Sequence, residues 1–161
     1  MSYARFGAMV ATSTIVMFVL MYLNTYALDH VWFSQTRAWM ALLMGAVMAV
    51  IMLGFMRRMY PDRRRNIAIL VASIVVFAAS LWLVRSQSTV DDVSYMKAMI
   101  PHHSIAIMTS TRARIRDPRV RRLADGILEA QRREIAEMSQ LIASLETTPV
   151  PEGAPLLAPA Q

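Results

Sequence analysis

The sequence predicts an all-α protein: three transmembrane helices followed by a two-helix antiparallel hairpin. Three observations carry this. The chain of 161 residues is 56% hydrophobic, too apolar for one small soluble domain. Three runs reach the roughly 20 mostly apolar residues a spanning helix needs, at about Phe6 to Leu28, Ala38 to Met56 and Asn66 to Val84. After Val84 the pattern changes to helical periodicity, with no alternating strand pattern, glycine-rich phosphate loop or internal repeat.

The first run follows a single basic residue, Arg5. Thr25-Tyr26-Ala27 weakly resembles a signal-peptide cleavage site, but the apolar length exceeds a signal core, so the run is read as a retained anchor. The second run carries Met40, Met44, Met48, Met52 and Met56 at four-residue steps. Such a row winds slowly round a helix and suits packing against a neighbour; a thioether path for copper is the alternative. The third run follows a connection holding Arg57, Arg58, Arg63, Arg64 and Arg65 against one acid, Asp62. By the positive-inside rule this connection is cytoplasmic, which puts the N-terminus inside and everything after Arg85 outside.

Charge therefore argues against nucleic acid despite a net +6. Seven of the basic residues lie before residue 66, and from Arg85 onward ten basic residues face nine acidic ones. The exported part is nearly neutral. Fourteen methionines and no cysteine permit an oxidising compartment.

The predicted organisation is a membrane domain over 1–85, a hairpin domain over 86–146 and a disordered Pro/Ala-rich tail over 147–161, which holds four of the seven prolines. Helix A begins near Ser88 or Thr89, with Asp91 and Asp92 in its first turn, and runs to about Arg116. Asp117 and Pro118 break it and open helix B as N-cap and first residue. Helix B runs to about Leu145, with Leu123, Ile127, Met138, Leu141, Ile142 and Leu145 as its apolar stripe. Gln131 and Glu134 project into that stripe, and a carboxylate on a buried face needs a partner. Two helices of this length make a weak core. Pairing of hairpins into a four-helix bundle would complete it, so a homodimer or higher oligomer is expected, or docking on a membrane protein partner. The arginines from Arg112 to Arg122 mark a solvated turn.

The candidate chemistry lies in Met96 to His103, where two thioethers and two imidazoles fall within eight residues. At about 100° per residue, Asp92, Met96, Met99 and His103 share roughly 60° of helix surface, with His102 on the shoulder. Thioethers select copper(I) and similar soft ions, and imidazole suits copper in either state. Pro101 removes one helical hydrogen bond, at a cost of about 3 kcal/mol, and a kink there would aim His102 and His103. His30, beside Asp29, reads as an interface residue. Methionines 96, 99 and 138 could equally fill an irregular core.

The order Asp92-x-x-Tyr95, Met99-Ile100-Pro101-His102-His103, Met108, then Gln131-x-x-Glu134-Ile135 and Met138 resembles the family catalogued as domain of unknown function 305, over about residues 90 to 145. That resemblance implies a ferritin-like helical bundle of exported bacterial proteins, some of which bind copper or silver, and a place at the bacterial cytoplasmic membrane. It makes His102, His103, Met99, Met108 and Met138 metal-ligand candidates with Met96, and Glu134, Gln131 and Asp92 supporting groups. Two features depart from it: this chain has one hairpin where secreted members often have two, and Met108 lies nearly opposite Met96 and His103 on an ideal helix. The resulting expectation is copper(I) or silver(I) handling outside the membrane. The alternative is a structural subunit of a larger membrane complex. A di-iron oxidase lacks its paired Glu-x-x-His ligands, and no nucleophile with a base stands at a recognisable spacing, so no enzymatic activity is expected.

Overall fold

The computed structural model describes residues 2–151 and 153–157. Among them the regular structure is helical: α1 (Tyr3–Leu20), α2 (Gln35–Phe55), α3 (Arg63–Ser86), α4 (Asp92–Arg112) and α5 (Pro118–Thr147), with one 3-10 turn before α2 and one after it. The chain is all-α, and its first three helices are long and apolar enough to cross a membrane.

The first of these is shorter than the apolar run that encodes it. It stops at Leu20, and the chain turns over Met21 to Asn24. The remaining residues of the run serve the loop, where the Tyr26 backbone N–H donates to Ser104 Oγ at 2.7 Å. Eighteen residues still span about 27 Å, close to the thickness of a hydrocarbon layer.

Small residues let these helices approach. Ala41, Gly45, Ala46 and Ala49 are buried on α2, as are Ser73 and Ser80 on α3, and close backbone approach is what such residues permit between membrane helices. Side chains such as Ile15, Val19, Ile74 and Trp82 face outward, as hydrocarbon surroundings require. In the methionine row of α2, Met52 and Met56 pack against the cluster of Phe6, Ala49, Leu53 and Tyr60.

That cluster marks one end of the three-helix unit. There the Tyr3 hydroxyl donates to Asn66 Oδ1 at 2.9 Å, beside the basic connection. The hairpin docks at the other end. His30 Nδ1 lies 2.9 Å from Ser104 Oγ, Gln35 Nε2 donates to Ser94 Oγ at 3.2 Å, and Lys97 Nζ sits 5.4 Å from the centre of the Trp32 ring. His30 is thus part of the joint between loop and hairpin.

Helix α4 begins one turn later than expected because Asp91 acts as N-cap, accepting from Ser94 N at 2.7 Å. It continues through the buried Pro101 to Arg112, ending four residues before the expected Arg116. Asp117 caps α5 by accepting from Arg119 N at 2.8 Å, with Pro118 as first helical residue. The two helices run antiparallel: Lys97, early in α4, pairs with Glu146, late in α5, at 2.6 Å, while Arg121, early in α5, donates to the Ser110 carbonyl, late in α4, at 3.0 Å. Between them lies a core of Met96, Ile100, Ile107, Ile135, Met138 and Ile142.

The buried line of α5 is narrower than its apolar stripe. Ala124, Ile135, Met138 and Ile142 are buried, but Leu123, Ile127 and Leu141 are exposed. One neighbouring helix covers only one strip of a cylinder, so the rest of the stripe lies bare. Beyond Thr147 the described residues form no helix or strand; residues 152 and 158–161 of the expected tail lie outside the described set.

Candidate metal centre

The candidate donors do not share one face of α4. They divide between two openings. The first is a groove of about 560 Å³ between α4 and α5 whose walls include Asp92, Met96, His103, Glu134 and Met138. The second is a cavity of about 360 Å³ on the neighbouring face of α4, reached by Met99 and His102, with Tyr95 lining both openings. Met99 and His102 turn together toward the membrane unit, and the two imidazole centroids lie 6.2 Å apart. Met108 is half-buried and lines neither opening.

In the groove, His103 Nδ1 approaches Glu134 Oε2 to 3.1 Å with the ring's side chain only 14% exposed. The pair is close enough for an ionic contact but lacks hydrogen-bond alignment. Gln131 Nε2 donates to the same carboxylate oxygen at 3.3 Å. This chain of contacts works because Gln131 and Glu134 are three residues apart and so share a face of α5, opposite His103. A carboxylate beside Nδ1 favours a proton there and leaves the Nε2 lone pair as the ring's donor. Burial holds the His103 pKa below its usual value, with Glu134 opposing and His102 reinforcing the shift. Burial thus favours the neutral imidazole, the form that a metal ligand takes.

Met96 is 6% and Met138 9% exposed. Both belong to the hairpin core and reach the groove with the edge of their side chains. Among the described residues, no three His, Asp or Glu side chains come close enough together to hold a metal ion. Thioether sulfur from Met96 and Met138 is the donor that the groove offers beside His103.

The family model for Domain of unknown function (DUF305) matches residues 92–156, which is the hairpin and the segment after it. An uncharacterized protein of Acanthamoeba polyphaga mimivirus is 32% identical over 143 residues, covering 84% of this chain and 92% of the relative. The chain belongs to the DUF305 family. Similarity to the viral protein extends well beyond the family domain, into the sequence that precedes the hairpin. No solved structure matches the chain. As a DUF305 protein, it joins the family domain to helices suited to a membrane anchor.

Sequence reasoning missed one pair of residues. Met21 and Met40 open into the cavity of Met99 and His102; Met21 lies inside the first apolar run with nothing to single it out, and Met40 stands out only as the first of the α2 methionine row.

Proposed function

We propose that this DUF305 protein captures copper(I), or silver(I) in the same role, at the outer face of the cytoplasmic membrane. The observation that carries the reading is the groove, where His103, Met96 and Met138 line one wall system beside a carboxylate 3.1 Å from the imidazole Nδ1. Nitrogen and thioether sulfur suit a soft ion. Glu134 would orient His103, with Gln131 fixing Glu134 in turn, and Asp92 would add negative charge at the groove mouth. The role is binding and transfer of the ion, not catalysis.

The placement rests on the separation of the basic connection, Arg57 to Arg65, from the hairpin at opposite ends of the three-helix unit. With arginines retained on the cytoplasmic side, the hairpin faces outward.

A second hairpin would complete the domain. Leu123, Ile127, Leu141 and Tyr95 are exposed along the side of the hairpin bearing the groove, and pairing of two copies would bury them in a four-helix bundle. If the chain is instead an assembly subunit, gentle purification yields it with different proteins in fixed ratio. For the metal role, the test is copper(I) affinity of the full chain in detergent, set by competition with a chromophoric chelator. His103→Ala and Met138→Leu should each weaken binding at the groove at least tenfold; unchanged affinity in both removes the groove as a site.

A further inference from the structure

The second opening lies where the hairpin meets the outer end of the membrane unit. It gathers Met21, just past the end of α1, Met40 of α2, and Met99 with His102 of α4. Three thioethers and an imidazole thus line one cavity from α2, α4 and the turn after α1, although the sequence separates Met21 from His102 by 81 positions. Methionines acting only as filler would close such a space. Here a cavity of about 360 Å³ remains between the helices, with His102 exposed beside it.

The electrostatics of this cavity select among soft ions. Among the described residues no carboxylate lines it, and one fixed cation, Arg37, does. That guanidinium is engaged already: it donates to the Met21 carbonyl at 2.9 Å and lies 4.4 Å over the Tyr22 ring. Its charge repels an entering ion in proportion to that ion's charge, so a divalent ion meets twice the opposition of a monovalent one. Neutral thioethers supply no anion to offset it. The groove differs, because Asp92, Glu134 and Glu137 surround its donors.

We propose that the junction is a second metal site, specific for a monovalent soft ion, copper(I) or silver(I), with Met21, Met40, Met99 and His102 as ligands. The inference extends the proposed metal role to a part of the chain outside the matched family domain, and an ion held there would tie the hairpin to the membrane helices. Near-isosteric Met→Leu changes remove sulfur while keeping volume, which makes the test direct.

The full chain in detergent is equilibrated with silver(I) against a competing thioether chelator, and bound silver per chain is counted. Wild type should hold two ions, the Met21→Leu/Met40→Leu variant one, His103→Ala one, and the combined variant none. Zinc(II) should not displace the ion that the methionine pair controls. For copper(I), X-ray absorption should show fewer sulfur neighbours per ion in Met21→Leu/Met40→Leu than in wild type, and His102→Asn should lose a nitrogen neighbour. An unchanged silver count in Met21→Leu/Met40→Leu overturns the junction site, as does a wild-type count of one that His103→Ala abolishes. A count lowered by the methionine pair but untouched by His103→Ala supports the junction and sinks the groove instead.

Discussion

His103 Nδ1 lies 3.1 Å from Glu134 Oε2 across the seam between α4 and α5. Burial depresses the His103 pKa and Glu134 partly restores it, so the two residues set the acid sensitivity of the metal-free hairpin together. The folded-state pKa is below the unfolded value near 6.5, so the unfolded chain takes up the proton more readily. This stability contribution is full above about pH 6.5 and is lost as pH falls through the folded-state pKa. Glu134→Gln removes the raising influence. Its His103 should titrate at lower pH than in wild type, as followed by the imidazole NMR resonances; an unchanged midpoint would show that the carboxylate does not act on the ring.

Ile100 is fully buried one residue before Pro101 and packs in the core that holds the hairpin together. Truncation to alanine removes its buried methylenes and leaves a void, which costs about 2 to 5 kcal/mol in such positions. Denaturant unfolding followed by circular dichroism should show that loss in Ile100→Ala, whereas Leu123→Ala, at an exposed position, should change monomer stability little. Equal losses at both would mean that the core lies elsewhere.

In the membrane unit, a methyl group at Gly45 would collide with the Thr14 hydroxyl of α1, which donates to the Val10 carbonyl at 2.9 Å. Overpacking of this kind costs about 1 to 3 kcal/mol. Gly45→Ala should therefore lower the thermal midpoint in detergent, and Thr14→Ala in the same chain should recover part of it. Additive losses in the double variant would contradict a direct contact.

Much of this architecture was legible because hydrocarbon and helix geometry impose long, periodic patterns. The three apolar runs, the Asp117-Pro118 start of α5 and the place of Gln131 and Glu134 on one face of α5 all follow from local spacing. The length of α1 did not, since Tyr26 belongs to an apolar run yet its backbone is spent on Ser104, 78 positions away. Equally, angular position on an ideal helix grouped Met99 with Met96 and His103, a separation of under half a turn. Docking of the loop and α2 against α4 splits that face, sending Met99 to the junction and His103 to the groove. The junction itself joins residues from the turn after α1, from α2 and from α4 that no local pattern connects.

The central claim is that His103 donates Nε2 to a soft ion while Glu134 keeps its partner nitrogen protonated. Nitrogen-15 NMR of the histidine-labelled full chain, with silver(I) added stepwise at neutral pH and resonances assigned through His30, His102 and His103 variants, reads this directly. A large shift of His103 Nε2 that saturates at a fixed ratio is expected, with Nδ1 remaining in its protonated range. His103 resonances that stay in place at saturating silver would contradict it.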